Sequence, residues 1–167
     1  MISWRFYPAV LALQAMQGVQ FVTAVGMVSE VGELSRFDHP RQLIAWLGVT
    51  PSEHSSGGKR RQGSITKIGN SYARNLLVEA AWNCRHPARV SPEIQVRLEG
   101  LPKPIIDRAW NAQVRLCRRF RRLTARGKAI NITVVAIARE LAAFIWDISR
   151  LAMSLAIPHS KLPAACA

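Results

Sequence analysis

The sequence predicts a mainly α fold: a helical hairpin of the helix-hairpin-helix type, a Ser/Gly-rich loop and three longer helices. Three observations predict it. Apolar residues recur at helical spacing through most of the 167 residues, and 49% of the chain is hydrophobic against 20% charged, enough to bury one core. Glycines and prolines cluster between the main periodic runs. No run reads convincingly as a β-strand, and no internal repeat is visible.

Residues 4–17 read as a short helix broken at Gly18, and 19–30 resume with Phe21, Val22, Val25 and Val28 on helical spacing. Helix, glycine turn, helix fits a helix-hairpin-helix, whose turn offers backbone N–H groups to a phosphate; an ordinary αα-hairpin fits equally. Asp38 or His39 caps the next helix, with Pro40 in its first turn. Leu43, Ile44 and Leu47 share its inner face and Gly48 ends it, closing a first section over 1–48.

Residues 49–70 change character. Four glycines, one proline and no apolar period predict a loop, and a loop this long in a compact domain is usually functional or disordered. Asn70 or Ser71 then caps a helix on which Ala73, Leu76, Leu77, Ala80, Ala81 and Cys84 form an apolar stripe. Pro87, Pro92, Pro102 and Pro104 make 86–104 irregular. Residues 105–126 form the second long helix, with Ile106, Trp110, Cys117 and Phe120 inward. Gly127 ends it, and Asn131 or Thr133 starts the third, which runs to about Ala156. That helix is apolar nearly all round, so it is buried in its own core or against a second subunit. Residues 71–157 are thus the helical part of one domain, and 158–167 a frayed tail.

Charge narrows the partner. The net charge is +13, and Lys59 to Lys128 hold 17 of the 23 Lys and Arg against four of the ten acids. The excess therefore lies wholly in the middle of the chain and points to a polyanion. Arg108, Arg115, Arg119, Arg122 and Arg126 line one helix face, widened by Arg118 and Arg121. At ~1.5 Å per residue the stripe runs about 27 Å, near one duplex turn. With few acids in this stretch to balance it, the stripe is expected to meet nucleic acid rather than only solvent.

Other chemistries find little support. Cys84, Cys117 and Cys166 are odd in number and widely spaced, so a disulfide framework is not expected and a reducing, cytoplasmic compartment fits. Cys84 and His86 lack the second pair that a zinc site needs, and the acids are too scattered for a two-metal centre, so no metal is expected in this chain. Arg139, Glu140, Asp147 and Arg150 interrupt the long apolar stretch after Ile130, which excludes a membrane span there, and Gln14, Gln17 and Gln20 cut short the early run that a signal peptide would need. Gly58-Lys59-Arg60 and Gly127-Lys128-Ala129 are not Walker A loops.

The loop is what remains. Ser55 and Ser56 precede two glycines, then Lys59, Arg60 and Arg61, with Lys67, Asn70 and Arg74 close behind. A serine ringed by cations suits attack on a phosphodiester, because the pentacoordinate phosphate gathers negative charge that Arg and Lys stabilise. The same composition fits a phosphate-binding loop without catalysis. No base for the serine proton is evident, although His54 is adjacent in sequence.

The run from Leu47-Gly48-Val49-Thr50-Pro51 through Ser55-Ser56-Gly57, then Arg61-x-Gly63-x-Ile65-Thr66-Lys67-x-Gly69-Asn70 and Arg74-x-x-Leu77, resembles the C-terminal domain of IS110/IS116/IS902 family transposases. Residues 16–37 are similar to that domain's opening segment, and 136–146 to its closing helix. The resemblance implies a DNA recombinase domain whose serine forms a phosphoserine with DNA; by the motif the nucleophile is Ser56, with Ser55 the alternative. Gly57, Gly63, Lys67, Gly69, Asn70 and Arg74 match the surrounding pattern, while Gln20 replaces the second glycine of a G-x-G turn. It also implies a RuvC-like domain, absent from this sequence, whose acids bind Mg²⁺; strand cleavage is expected to need that domain. Further implied partners are DNA, a structured guide RNA in some members, and a homo-oligomer in the bacterial nucleoid. The alternative is a non-catalytic nucleic-acid-binding module, such as a repressor formed from a truncated transposase; an anionic-membrane binder is a third, less favoured reading.

Overall fold

A computed structural model describes residues 4–56, 59–155 and 157, and for 53–62 the backbone alone. Seven α-helices are present among them: α1 (Tyr7–Leu13), α2 (Phe21–Val31), α3 (Pro40–Trp46), α4 (Ser71–Trp82), α5 (Pro92–Leu98), α6 (Lys103–Ala125) and α7 (Ile130–Ser154). Short 3₁₀ turns follow α2 at Leu34–Arg36 and α4 at Asn83–Arg85. The mainly helical fold predicted from periodicity is what forms.

α7 is the hub. It packs against α1, α3, α4 and α6, so most of its apolar surface is buried within this chain, while Ile130, Ile132 and Met153 near its ends are exposed. Ile137, Leu141, Ile145 and Ile148 are fully buried at its centre. Truncating any of them to Ala would cost about 2–5 kcal/mol. Its flank also ties down the α2–α3 connection: Trp146 Nε1 and the Arg150 guanidinium donate to the Phe37 carbonyl at 2.8 and 3.1 Å. Arg36 stacks over the Phe37 and Trp46 rings beside them.

The caps of α3 and α4 follow the sequence signals, whereas α7 starts at Ile130, ahead of the expected Asn131 or Thr133, and no side chain caps it. His39 Nδ1 accepts from the Arg41 N–H ahead of Pro40, and Asn70 Oδ1 accepts from the Ala73 N–H at 2.9 Å. Two expectations change. Residues 92–98, expected to be irregular, form α5: Pro92 sits in its first turn, where its missing N–H costs nothing, and Ser91 Oγ accepts from the Ile94 N–H. On α6 the inner face is rotated, with Ile105, Ala109, Ala112, Leu116, Cys117 and Phe120 buried while Trp110, expected inward, is exposed.

Residues 49–70 also differ from the expected loop. They hold an antiparallel pair, β1 (Pro51–Ser56) and β2 (Lys59–Ile65). The register pairs Pro51 with Ile65, Glu53 with Gln62, His54 with Arg61, Ser55 with Arg60 and Ser56 with Lys59, with an irregularity between Pro51 and Glu53. Polar strands show no hydrophobic alternation, so only the two-residue Gly57-Gly58 connection signalled a hairpin. Those two residues, and the tail 158–167, lie outside the described residues.

Candidate nucleic-acid interface and the serine hairpin

The root of the hairpin is built from the motif residues. The chain leaves α3 through Gly48, at φ +68°, and re-enters α4 through Gly69, at φ +106°. A Cβ on Gly48 would lie 2.0 Å from the Ile68 carbonyl oxygen, and one on Gly69 would lie 1.9 Å from the Trp46 carbonyl oxygen. Both glycines are therefore required by backbone-to-backbone contact as well as by φ. Between them, the Thr66 N–H donates to Thr50 O at 3.0 Å and the Lys67 N–H to Gly48 O at 3.1 Å. Lys67 itself adopts φ +56°, an uncommon state for a non-glycine residue, with its side chain exposed.

Two arginines fasten this root from below. Arg74 on α4 donates to the Leu47 carbonyl at 3.1 Å, and Arg139 on α7 donates through Nε to the Val49 carbonyl at 3.0 Å. Burial, and then the Arg119 charge nearby, lower the Arg139 pKa. Asn70, besides capping α4, donates from Nδ2 to Glu30 on α2. Asn70 and Arg74, expected as phosphate ligands, thus have protein partners here. Sequence reasoning missed Arg139; its place in a nearly all-apolar helix was the available signal.

The hairpin backbone brings the basic residues opposite the serines: Arg60 across from Ser55, Lys59 across from Ser56, Arg61 across from His54. The side chains of Ser55, Ser56, Lys59, Arg60 and Arg61 lie outside the described residues.

The arginine stripe on α6 is balanced more than its own segment indicated. Arg108 pairs with Asp147, while Arg115 and Arg119 both bond Glu140, the latter at 3.0 Å. Glu140 and Asp147 are seven residues apart on α7 and so share the face turned to α6. Arg118, Arg121, Arg122 and Arg126 are exposed, and no acid pairs with them among the described residues. These four and Lys128 form the unneutralised basic surface.

The Gly18 turn does not present itself as a phosphate cradle. A Cβ there would lie 2.6 Å from the Ala80 carbonyl oxygen, because the turn packs into the end of α4. The Gln17 N–H donates to Gln113 Oε1, the Val19 N–H to Met16 O, and Arg97 donates to the Val19 carbonyl. Of the two readings left open for this segment, the ordinary αα-hairpin describes it.

No three His, Cys, Asp or Glu converge among the described residues. Cys84 and Cys117 are buried against each other, and their mutual hydrogen bond and burial push the Cys84 thiol up, away from thiolate chemistry. No helix among them is long and apolar enough to cross a membrane.

Comparison with known proteins agrees with this architecture. A Sinorhizobium fredii protein named as transposase y4qE is 45% identical over 147 residues, covering 88% of this chain and 38% of its own length. The transposase for insertion sequence element IS1111A of Coxiella burnetii is 39% identical over 69 residues, 41% of this chain and 19% of its own. The transposase for insertion sequence element IS1533 of Leptospira borgpetersenii is 27% identical over 120 residues, 71% of this chain and 34% of its own. The chain thus spans well under half the length of these relatives. The family profile described as Transposase IS116/IS110/IS902 matches residues 11–95, from α1 through the hairpin and α4 into α5. With that match over half its length, the chain belongs to the IS116/IS110/IS902 family of transposases.

Proposed function

We propose that this domain binds DNA and supplies the serine nucleophile of strand exchange, Ser56, with Ser55 as the alternative. The observation that carries the reading is the hairpin register, which sets Lys59 and Arg60 directly opposite the two serines. In the step, the serine Oγ attacks the phosphorus of a phosphodiester. Its proton leaves to solvent, the P–O bond to the departing strand breaks, and that strand's oxygen takes up a proton. The product is a phosphoserine that keeps the ester's energy for rejoining. Lys59, Arg60, Arg61 and Lys67 stabilise the charge gathered on phosphorus. Arg122, Arg126 and their neighbours hold the flanking backbone. The remaining partners follow the resemblance: a RuvC-like domain carrying the Mg²⁺ site, a structured guide RNA, a second copy of the chain, and the bacterial nucleoid as the place of action. This chain's part is the nucleophile and the phosphate contacts.

The test is covalent trapping. The chain is incubated with element-end DNA and Mg²⁺, with and without a RuvC-like domain and element-encoded RNA, and resolved on a denaturing gel. The expected result is a protein–DNA adduct that is lost in Ser56→Ala and kept in Ser55→Ala. DNA binding with no adduct under any of these conditions would replace the reading by a non-catalytic binding module.

A further inference from the structure

We propose that Arg115 and Arg119 of α6 and Arg139 of α7 form a phosphate seat beside the hairpin root. On the DNA-binding reading above, on which its occupant rests, the seat takes a backbone phosphate that positions the strand and is not the one attacked.

The inventory of donors carries the proposal. Two guanidinium groups, of Arg115 and Arg119, share one carboxylate, Glu140, which is only 12% exposed, and the charge of Arg139, the residue before Glu140 on α7, lies close to that of Arg119. Arg115 spends its Nε on Glu140 Oε1 and Arg119 one terminal nitrogen on Oε2. Arg139 spends its Nε on the Val49 carbonyl and has no carboxylate partner among the described residues. Arg119 Nε is buried with no hydrogen-bond partner. Three guanidinium groups against one carboxylate leave the cluster with two uncompensated charges. The Arg119 and Arg139 charges are near enough to disfavour each other. An anion accepting from both guanidinium groups relieves that repulsion, and a phosphate matches the geometry of the guanidinium fork.

The place of the seat assigns its role. Arg139 joins it to Val49, and seven residues of chain separate Val49 from Ser56. In extended conformation that is about 23 Å, several phosphates along a strand from the serine. Arg122, one turn beyond Arg119 on the same α6 face, continues the track toward the basic end of the molecule.

The experiment has two readouts. In the first, the melting temperature of the full chain is measured in sodium phosphate and in sodium chloride of equal ionic strength. Wild type is expected to gain stability in phosphate beyond the gain shown by Arg139→Gln, because only an occupied site adds a linkage contribution. Arg41→Gln, at an exposed residue of α3 outside the basic surface of α6, is expected to keep the full gain. Arg115→Gln, at an exposed side chain, repeats the test should Arg139→Gln fail to fold. In the second, the salt dependence of duplex binding is measured, where losing one phosphate contact lowers the slope by about one. An unchanged phosphate gain in both Arg139→Gln and Arg115→Gln overturns the seat, and so does an unchanged salt slope in those variants. The DNA-binding reading fails separately: wild type would then bind no duplex while keeping its phosphate-dependent gain.

Discussion

Replacing Gly69 by Ala is the sharpest test of the hairpin root. The new Cβ would stand 1.9 Å from the Trp46 carbonyl oxygen and 3.1 Å from its carbon. Real Cβ contacts essentially never fall below 3.0 Å, so the root has to open by at least about 1.1 Å. The atom in the way is backbone, and no rotamer change relieves it. Overpacking of this kind costs about 1–3 kcal/mol, and the positive φ adds about 1–2 kcal/mol for any residue with a Cβ. The expected loss is about 2–5 kcal/mol, or roughly 10 °C in Tm at ~2–4 °C per kcal/mol. Gly127→Ala is the internal control: its φ is +71°, but nothing lies within 4 Å of the new Cβ. That variant should lose only the backbone contribution, about 1–2 kcal/mol. Thermal melts of the two variants, with amide exchange at Thr66 and Lys67, read the difference. Equal losses in the two, or a Gly69→Ala loss below about 0.5 kcal/mol, would refute the close approach of the hairpin root to α3.

Two further outcomes follow from the same contacts. Glu140→Gln removes a mostly buried charge shared by two partly exposed arginines, and should cost about 1.5–3 kcal/mol, whereas Asp147→Asn, in a pair exposed on both sides, should cost below about 1 kcal/mol; urea titration of both variants compares them. Arg74→Gln should speed amide exchange at Thr66 and Lys67 while leaving the salt slope of DNA binding unchanged, because its guanidinium bonds Leu47; Arg122→Gln should lower that slope by about one and leave the hairpin amides alone.

The sequence by itself determined the helices. Their apolar stripes repeat at the helical period, and their ends are marked by Pro40, Asn70 and Gly127, all of which act within a few residues of themselves. α5 was legible only through Ser91-Pro92, and the density of prolines around it masked that signal. The motif that carries the family resemblance was equally plain, yet its spacing did not show what each residue does. Gly48, Gly69, Asn70 and Arg74 read in sequence as surroundings of a reactive loop; folded, they fix the hairpin to α2, α3 and α4. Tertiary structure alone decided which charges remain free. Arg108, Arg115 and Arg119 meet their acids across 39, 25 and 21 residues, because α7 folds back along α6 and turns Glu140 and Asp147 toward it. The same packing brought Arg139 to the Val49 carbonyl across 90 residues. Periodicity assigns a residue to a face of its own helix, while the partner of that face is set by how whole helices pack, which no local pattern encodes.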